Sequence, residues 1–174
     1  FAKKLKKEYP LHTYRRLAPI LSPMRAVKHP EEIRALKKAC EITEKAFTRA
    51  LQAVSPLKYE YEIEAELIYE MIRNGSSGHS FAPIVASGKD TCILHYIKND
   101  KQMQDGDLLL LDFGAEYANY AGDTTRTIPV NGKFTTRQKA VYNAVLAIYK
   151  ETIPLYKPGM TIHKINDYVF KRMD

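Results

Sequence analysis

The 174-residue chain contains no tryptophan, only two cysteines and no long apolar run. The missing tryptophan excludes nothing. Two cysteines, Cys40 and Cys92, cannot form a disulfide framework, and reduced thiols point to a cytoplasmic protein. The apolar run Leu108–Leu111 falls far short of the roughly 20 residues that span a bilayer. No charged-apolar-small pattern opens the chain, so neither membrane nor secretion is expected. What the sequence does hold is 45% hydrophobic residues, enough to build a core for one domain.

A net charge of +7 invites a nucleic-acid reading, but its distribution argues against one. Residues 1–28 carry Lys3, Lys4, Lys6, Lys7, Arg15, Arg16, Arg25 and Lys28 against the single acid Glu8. The remaining residues are balanced in sign, so the basic character belongs to a leader and not to a globular surface. Pro10, Pro19, Pro23 and Pro30 predict that this leader is broken into short extended pieces, as a linker or the end of an upstream domain. Residues 29–174 then form the domain proper.

A helix is expected from Pro30, with Glu31 and Glu32 complementing its amino-terminal dipole. Ile33, Leu36, Cys40, Phe47, Leu51 and Val54 recur at three- and four-residue steps and predict its buried face. Ser55-Pro56 ends it. A second helix is expected over Tyr59–Arg73, with Ile63, Leu67, Met71 and Ile72 inward and Asn74-Gly75 as its cap. Phe81–Ala86, Leu108–Phe113 and Tyr120–Val130 read as strands. Thr135 and Gln138 predict a capping box for a third helix with Val141, Val145, Ile148 and Tyr149 inward. Lys157-Pro158-Gly159 breaks it, and Thr161 caps a last helix facing inward through Ile162, Ile165 and Val169.

The final helix pair echoes the first. A shift of 102 residues lays Pro56 on Pro158, Ile63 on Ile165 and Phe47 on Tyr149. A duplicated unit would carry a second hairpin some way beyond residue 174, so the chain reads as part of a duplicated domain whose carboxyl-terminal half is missing.

The chemistry sits in Leu108–Val130, where two apolar arms flank a bend near Glu116–Asn119. Centring the bend between Tyr117 and Ala118 sets Asp112 directly across from Asp123. Two half-buried carboxylates facing each other are destabilising unless something neutralises them. A divalent cation is one answer, and oxygen ligation suits a hard ion such as Mn²⁺. Alternatively, one aspartate caps a turn and the other pairs with Arg126, or a bulge at Gly114 or Gly122 sends the carboxylates to opposite faces. Arg126 is three residues from Asp123 and so points to the other face of a strand.

The stretch resembles the metallopeptidase family with the pita-bread fold, which includes methionine aminopeptidase, prolidase and aminopeptidase P. "GKDTCILHY" (Gly88–Tyr96) and "AGDTTRTIPVNGKF" (Ala121–Phe134) resemble the prolidase and aminopeptidase P branches, and "MRAVKHPEEI" (Met24–Ile33) resembles the segment that leads into the family's catalytic domain. The resemblance implies an α+β fold, with helices packed on one face of an antiparallel sheet. It implies that Asp112 and Asp123 are ligands of a dinuclear centre of two divalent ions, Mn²⁺ with Co²⁺ or Zn²⁺ as alternatives, bridged by a hydroxide nucleophile. His95, in "LHY", matches the family histidine on the substrate side that assists proton transfer. A complete member adds a histidine and two glutamates from its second half, and nothing after Phe134 resembles those motifs.

The expected function is therefore hydrolysis of peptides with proline at the second position, by a homo-oligomeric parent enzyme. The chain by itself is expected to be inactive. Prolidase, which cleaves Xaa-Pro dipeptides, is the nearest alternative. A non-catalytic pita-bread binding module is the alternative of another class, favoured only by the basic leader. His79 matches no family motif, and with His12, His29 and His163 it is expected to be idle.

Overall fold

The computed structural model describes residues 1–173. The leader is more ordered than expected. It forms helix α1 (Ala2–Glu8) and helix α2 (Ala18–Ala26) in place of extended pieces. The prolines allow this because Pro19 lies in the first turn of α2, where an absent N–H costs nothing; Pro23 is accommodated inside the helix. Neither helix buries a residue.

Helix α3 (Pro30–Ala53) begins at the expected proline. The Glu32 carboxylate accepts the His29 backbone amide at 2.6 Å, which satisfies one donor at its start. Its buried face is Ala39, Ile42, Thr43, Ala46 and Ala50. Cys40 is exposed, and Ile33 and Leu51 are nearly half exposed. The expected stripe is thus rotated toward smaller residues, because strands and a neighbouring helix approach this face closely. Helix α4 (Glu60–Arg73) buries Ile63, Leu67 and Met71 as expected, while Ile72 faces solvent. Asn74 caps it and Gly75 follows at φ +87°, a left-handed position that glycine takes without strain.

Six strands follow: β1 (Gly78–His79), β2 (Ile84–Ser87), β3 (Leu108–Phe113), β4 (Ala115–Tyr117), β5 (Tyr120–Ala121) and β6 (Thr124–Pro129). They make two three-stranded antiparallel sheets, ordered β1-β4-β5 and β2-β3-β6. The single long arm expected over Tyr120–Val130 is divided at Gly122-Asp123, and the early strand starts at Ile84 because Pro83 cannot donate to a ladder.

Strand β3 alternates strictly, with Leu109, Leu111 and Phe113 buried and Leu108, Leu110 and Asp112 less so. The buried set joins Ile42, Ala46 and Ala50 of α3, Ile63, Leu67 and Met71 of α4, and Val85 of β2 in the main core. On the reverse face a smaller cluster unites Ile84, Ala86, Tyr96 and Leu110. Helices on one face of an antiparallel sheet are the architecture expected from the sequence.

Helix α5 (Thr136–Thr152) is capped as expected: Thr135 N–H donates to Gln138 Oε1 at 2.8 Å, and Gln138 N–H to Thr135 Oγ1 at 3.2 Å. Its expected inner face is not inner. Val141, Val145 and Tyr149 are each about half exposed, and of this helix only Thr152 is buried. Helix α6 (Ile162–Met173) buries Ile165 alone and packs on α5. No helix among the described residues is long and apolar enough to cross a membrane.

Candidate metal site

The turn between β4 and β5 sets the register of the hairpin. Ala118 and Asn119 occupy it at φ +52° and +66°, and the pairs Tyr117↔Tyr120 and Glu116↔Ala121 close around them. The turn centre is one residue later than expected. Asp112 therefore pairs with Thr125 on β6 and with Ile84 on β2, and is not directly opposite Asp123. A displacement of two positions preserves the side of the sheet, since side chains alternate with period two.

The face of Asp123 follows from its neighbours. Thr124 pairs with Phe113, a core-facing residue. A Cβ on Gly122 would collide with Thr43 Oγ1 and lie 3.0 Å from the Ala39 carbonyl, so Gly122 is pressed against α3. Asp123, between two residues directed at the helical side, falls on the opposite side. That is also the side of Asp112, which alternates with Leu111 and Phe113. The two aspartates thus flank one another diagonally on the sheet face away from α3, with Asp112 partly buried and Asp123 exposed. The alternative of a bulge at Gly114 or Gly122 is not realised: Phe113↔Thr124 and Glu116↔Ala121 keep one register across the break between the two sheets, so the pair is not split.

Arg126 pairs with Leu111 on the core side, and its guanidinium donates to the Thr125 carbonyl at 2.8 Å. None of the ion pairs among the described residues involves Asp112 or Asp123. Two carboxylates sharing a face without a basic partner are a donor set suited to a hard divalent cation. They are an incomplete one. Among the described residues no group of three or more His, Cys, Asp or Glu side chains could hold a metal.

His95 lies on the connection from β2 to β3, exposed, at φ +54°. Its neighbour Tyr96 is 5% exposed and belongs to the reverse-face cluster with Ile84 and Leu110, the residues that adjoin Asp112 across and along the sheet. The His95 loop is in this way fastened to the face that carries the aspartates.

Three supporting residues were not singled out from sequence for any role in the site. Thr43 accepts the Ala115 amide at 2.9 Å and fixes the hairpin to α3. Asn99, 2% exposed, accepts the Val85 amide at 3.0 Å and donates to the Pro83 carbonyl and Glu64. Glu60, fully buried, accepts from Ser87, Tyr96 and Lys101. Burial, aided by Glu60, pushes the Tyr96 hydroxyl well above the usual range of a phenol. The positive φ of Asn99 has the asparagine as its only signal in the sequence; Glu60 reads there as an ordinary first-turn acid. His79, expected to be idle in a loop, instead lies on β1 opposite Ala115, with both ring nitrogens buried and unpartnered.

Comparison with known proteins identifies the family and the fold. Residues 34–174 match metallopeptidase family M24. The chain is 46% identical to the Xaa-Pro aminopeptidases of Haemophilus influenzae over 153 residues and Escherichia coli over 155, covering 88% and 89% of this chain. A Xaa-Pro dipeptidase of Pyrococcus horikoshii is 35% identical over 166 residues, 95% of this chain. It spans 36%, 35% and 47% of those three relatives. Among solved structures, zinc-substituted Escherichia coli aminopeptidase P in complex with product superposes with a TM-score of 0.88 at 45% identity, over 90% of this chain and 36% of that one. A glutamate-to-alanine variant of the same enzyme in complex with substrate gives the same values. With its α+β fold matching theirs over most of its length, the chain belongs to metallopeptidase family M24.

Proposed function

We propose that the chain supplies the first half of the active site of a Xaa-Pro aminopeptidase, with residues 29–174 as part of the catalytic domain and residues 1–28 as a basic lead-in. The observation that carries this reading is the Asp112–Asp123 pair, set on one face of the hairpin without a basic partner. The two carboxylates are metal ligands. His95, on the loop fastened to the same face, holds and returns a proton on the substrate side. The bound ions, two of the Mn²⁺ type, would supply an activated water nucleophile and polarise the scissile carbonyl. The all-oxygen donors favour Mn²⁺ over softer ions, with Co²⁺ and Zn²⁺ as alternatives.

The higher identity to aminopeptidases than to the dipeptidase favours cleavage of an amino-terminal residue from a peptide with proline second. The free thiols of Cys40 and Cys92 are consistent with a cytoplasmic enzyme. The half-exposed stripe Val141, Val145 and Tyr149 calls for a covering surface, supplied by further chain or by a second subunit in a homo-oligomer. By itself the 174-residue chain holds divalent metal weakly and does not turn over substrate, since two carboxylates leave most coordination positions to water. The test compares this chain with one extended to the length of its relatives, on an Xaa-Pro tripeptide and an Xaa-Pro dipeptide. Tripeptide hydrolysis by the extended chain alone is expected. Activity confined to the dipeptide would favour the prolidase reading, and hydrolysis by neither would favour a binding module.

A further inference from the structure

The loop that carries His95 runs from Ser87 to Lys101, and a single carboxylate holds both its ends. Glu60, in the first turn of α4, is fully buried. Its Oε1 accepts the Ser87 amide and the Ser87 hydroxyl, both at 2.7 Å. Its Oε2 accepts the Tyr96 hydroxyl at 2.7 Å and the Lys101 amide at 3.1 Å. The Glu60 amide itself donates to the Lys101 carbonyl at 2.9 Å. The start of the loop, its end and the residue next to His95 therefore converge on one side chain.

A buried carboxylate costs several kcal/mol unless its acceptor sites are filled, and here both oxygens are used twice. Such a group is rigid because any loop displacement strands a charge in the interior. The loop needs an external hold. His95 sits at φ +54° and Asn99 at φ +48°, both conformations that L-residues take reluctantly, and Ile93, Leu94 and Ile97 are exposed. The other holds on the loop lie away from His95: Asp90 pairs with Lys101, and Asn99 bonds to the Val85 amide and the Pro83 carbonyl. Tyr96, the residue next to His95, packs on the sheet face that bears Asp112.

We propose that Glu60 is the positioning residue for His95, setting the imidazole through the Tyr96 hydroxyl over the aspartate-bearing face. The proposal rests on the reading of His95 as the substrate-side proton group, but its structural half is testable without any turnover. Glu60→Gln keeps the size of the side chain while placing an NH₂ donor where acceptors are required. Tyr96→Phe removes only the central tie and leaves the Ser87 and Lys101 contacts.

Amide hydrogen exchange on the full chain reads the clamp. In Glu60→Gln, exchange across residues 88–101 should rise roughly tenfold or more while β3 and α3 keep their protection. In Tyr96→Phe the rise should centre on residues 93–97. Unchanged exchange in the loop of Glu60→Gln would overturn the proposal, as would loss of protection everywhere in both variants, which marks a general structural role. In the chain extended to the length of its relatives, Glu60→Gln and Tyr96→Phe should lower kcat with little change in KM or metal content, and adding either to His95→Ala should lower it no further. Additive losses would overturn the positioning role. Full turnover by His95→Ala would overturn the reading of His95 instead, a failure that the exchange experiment keeps separate from that of the clamp.

Discussion

The Thr43 hydroxyl accepts the Ala115 amide at 2.9 Å and donates to the Ala39 carbonyl at 2.8 Å, so one helix side chain pins the hairpin next to Gly114. Asp112 precedes Gly114 on one arm, and Asp123 follows Gly122 on the other. Thr43→Val keeps the shape but strands the buried Ala115 N–H, which should cost about 1–3 kcal/mol in urea unfolding. Thr43→Ser should be nearly neutral. A valine variant as stable as the parent would remove Thr43 from the account.

Gly122 is constrained from the other side of the same contact. A methyl group there meets Thr43 Oγ1 and the Ala39 backbone. Gly122→Ala should destabilise by about 1–3 kcal/mol, as overpacking does. Because the closest overlap is with Thr43, combining it with Thr43→Ala should cost less than the two changes separately. Strict additivity in the double-mutant cycle would show that the two residues do not touch.

The turn explains why the sequence reading placed Asp123 directly opposite Asp112. Asn119 advertises a left-handed conformation, but Ala118 does not, and Ala118 is equally left-handed at φ +52°. An alanine there carries strain that glycine would lack. Ala118→Gly should therefore raise stability by about 0.5–1 kcal/mol with the register unchanged. A loss of stability would mean that the turn is not built this way.

The legible parts of the molecule are those fixed by local chemistry. The proline start of α3, the Asn74-Gly75 stop of α4, the Thr135–Gln138 cap and the apolar run of β3 all stand where the residues place them. What was not legible depends on neighbours distant in sequence. The buried face of α3 is its alanine stripe because β4 and α4 press close, and no periodicity count reveals that closeness. The leader prolines were read as breakers, but a first-turn proline is compatible with α2. Spacing brings the two aspartates together but leaves their role open, which only the family resemblance supplies; their common face is kept because the register differs by an even number of residues. Glu60 is not legible in the sequence, since its three partner residues come from a loop 27 to 41 positions away.

His79 makes stability depend on pH. Burial holds its pKa below the usual imidazole value, although the charge of Glu64 opposes this. In the unfolded chain the ring titrates near pH 6.5, by the ordinary value for imidazole. Below that value the unfolded state takes up a proton that the folded state resists. Stability is therefore complete above the unfolded pKa and falls as pH drops through it, until the folded ring is protonated too. The urea midpoint should be lower at about pH 5 than at about pH 7.5, and His79→Gln should show a smaller difference. An equal difference in the variant would assign the pH dependence to other groups.

Metal binding by Asp112 and Asp123 is the central assignment. The direct measurement is the metal content of the chain extended to the length of its relatives, loaded with Mn²⁺ and dialysed, for the parent and three variants. Asp112→Ala and Asp123→Ala should each lose most of the metal together with Xaa-Pro hydrolysis. His95→Ala should keep its metal while turnover falls roughly a hundredfold or more. Either aspartate variant retaining the parent's metal content would contradict the assignment.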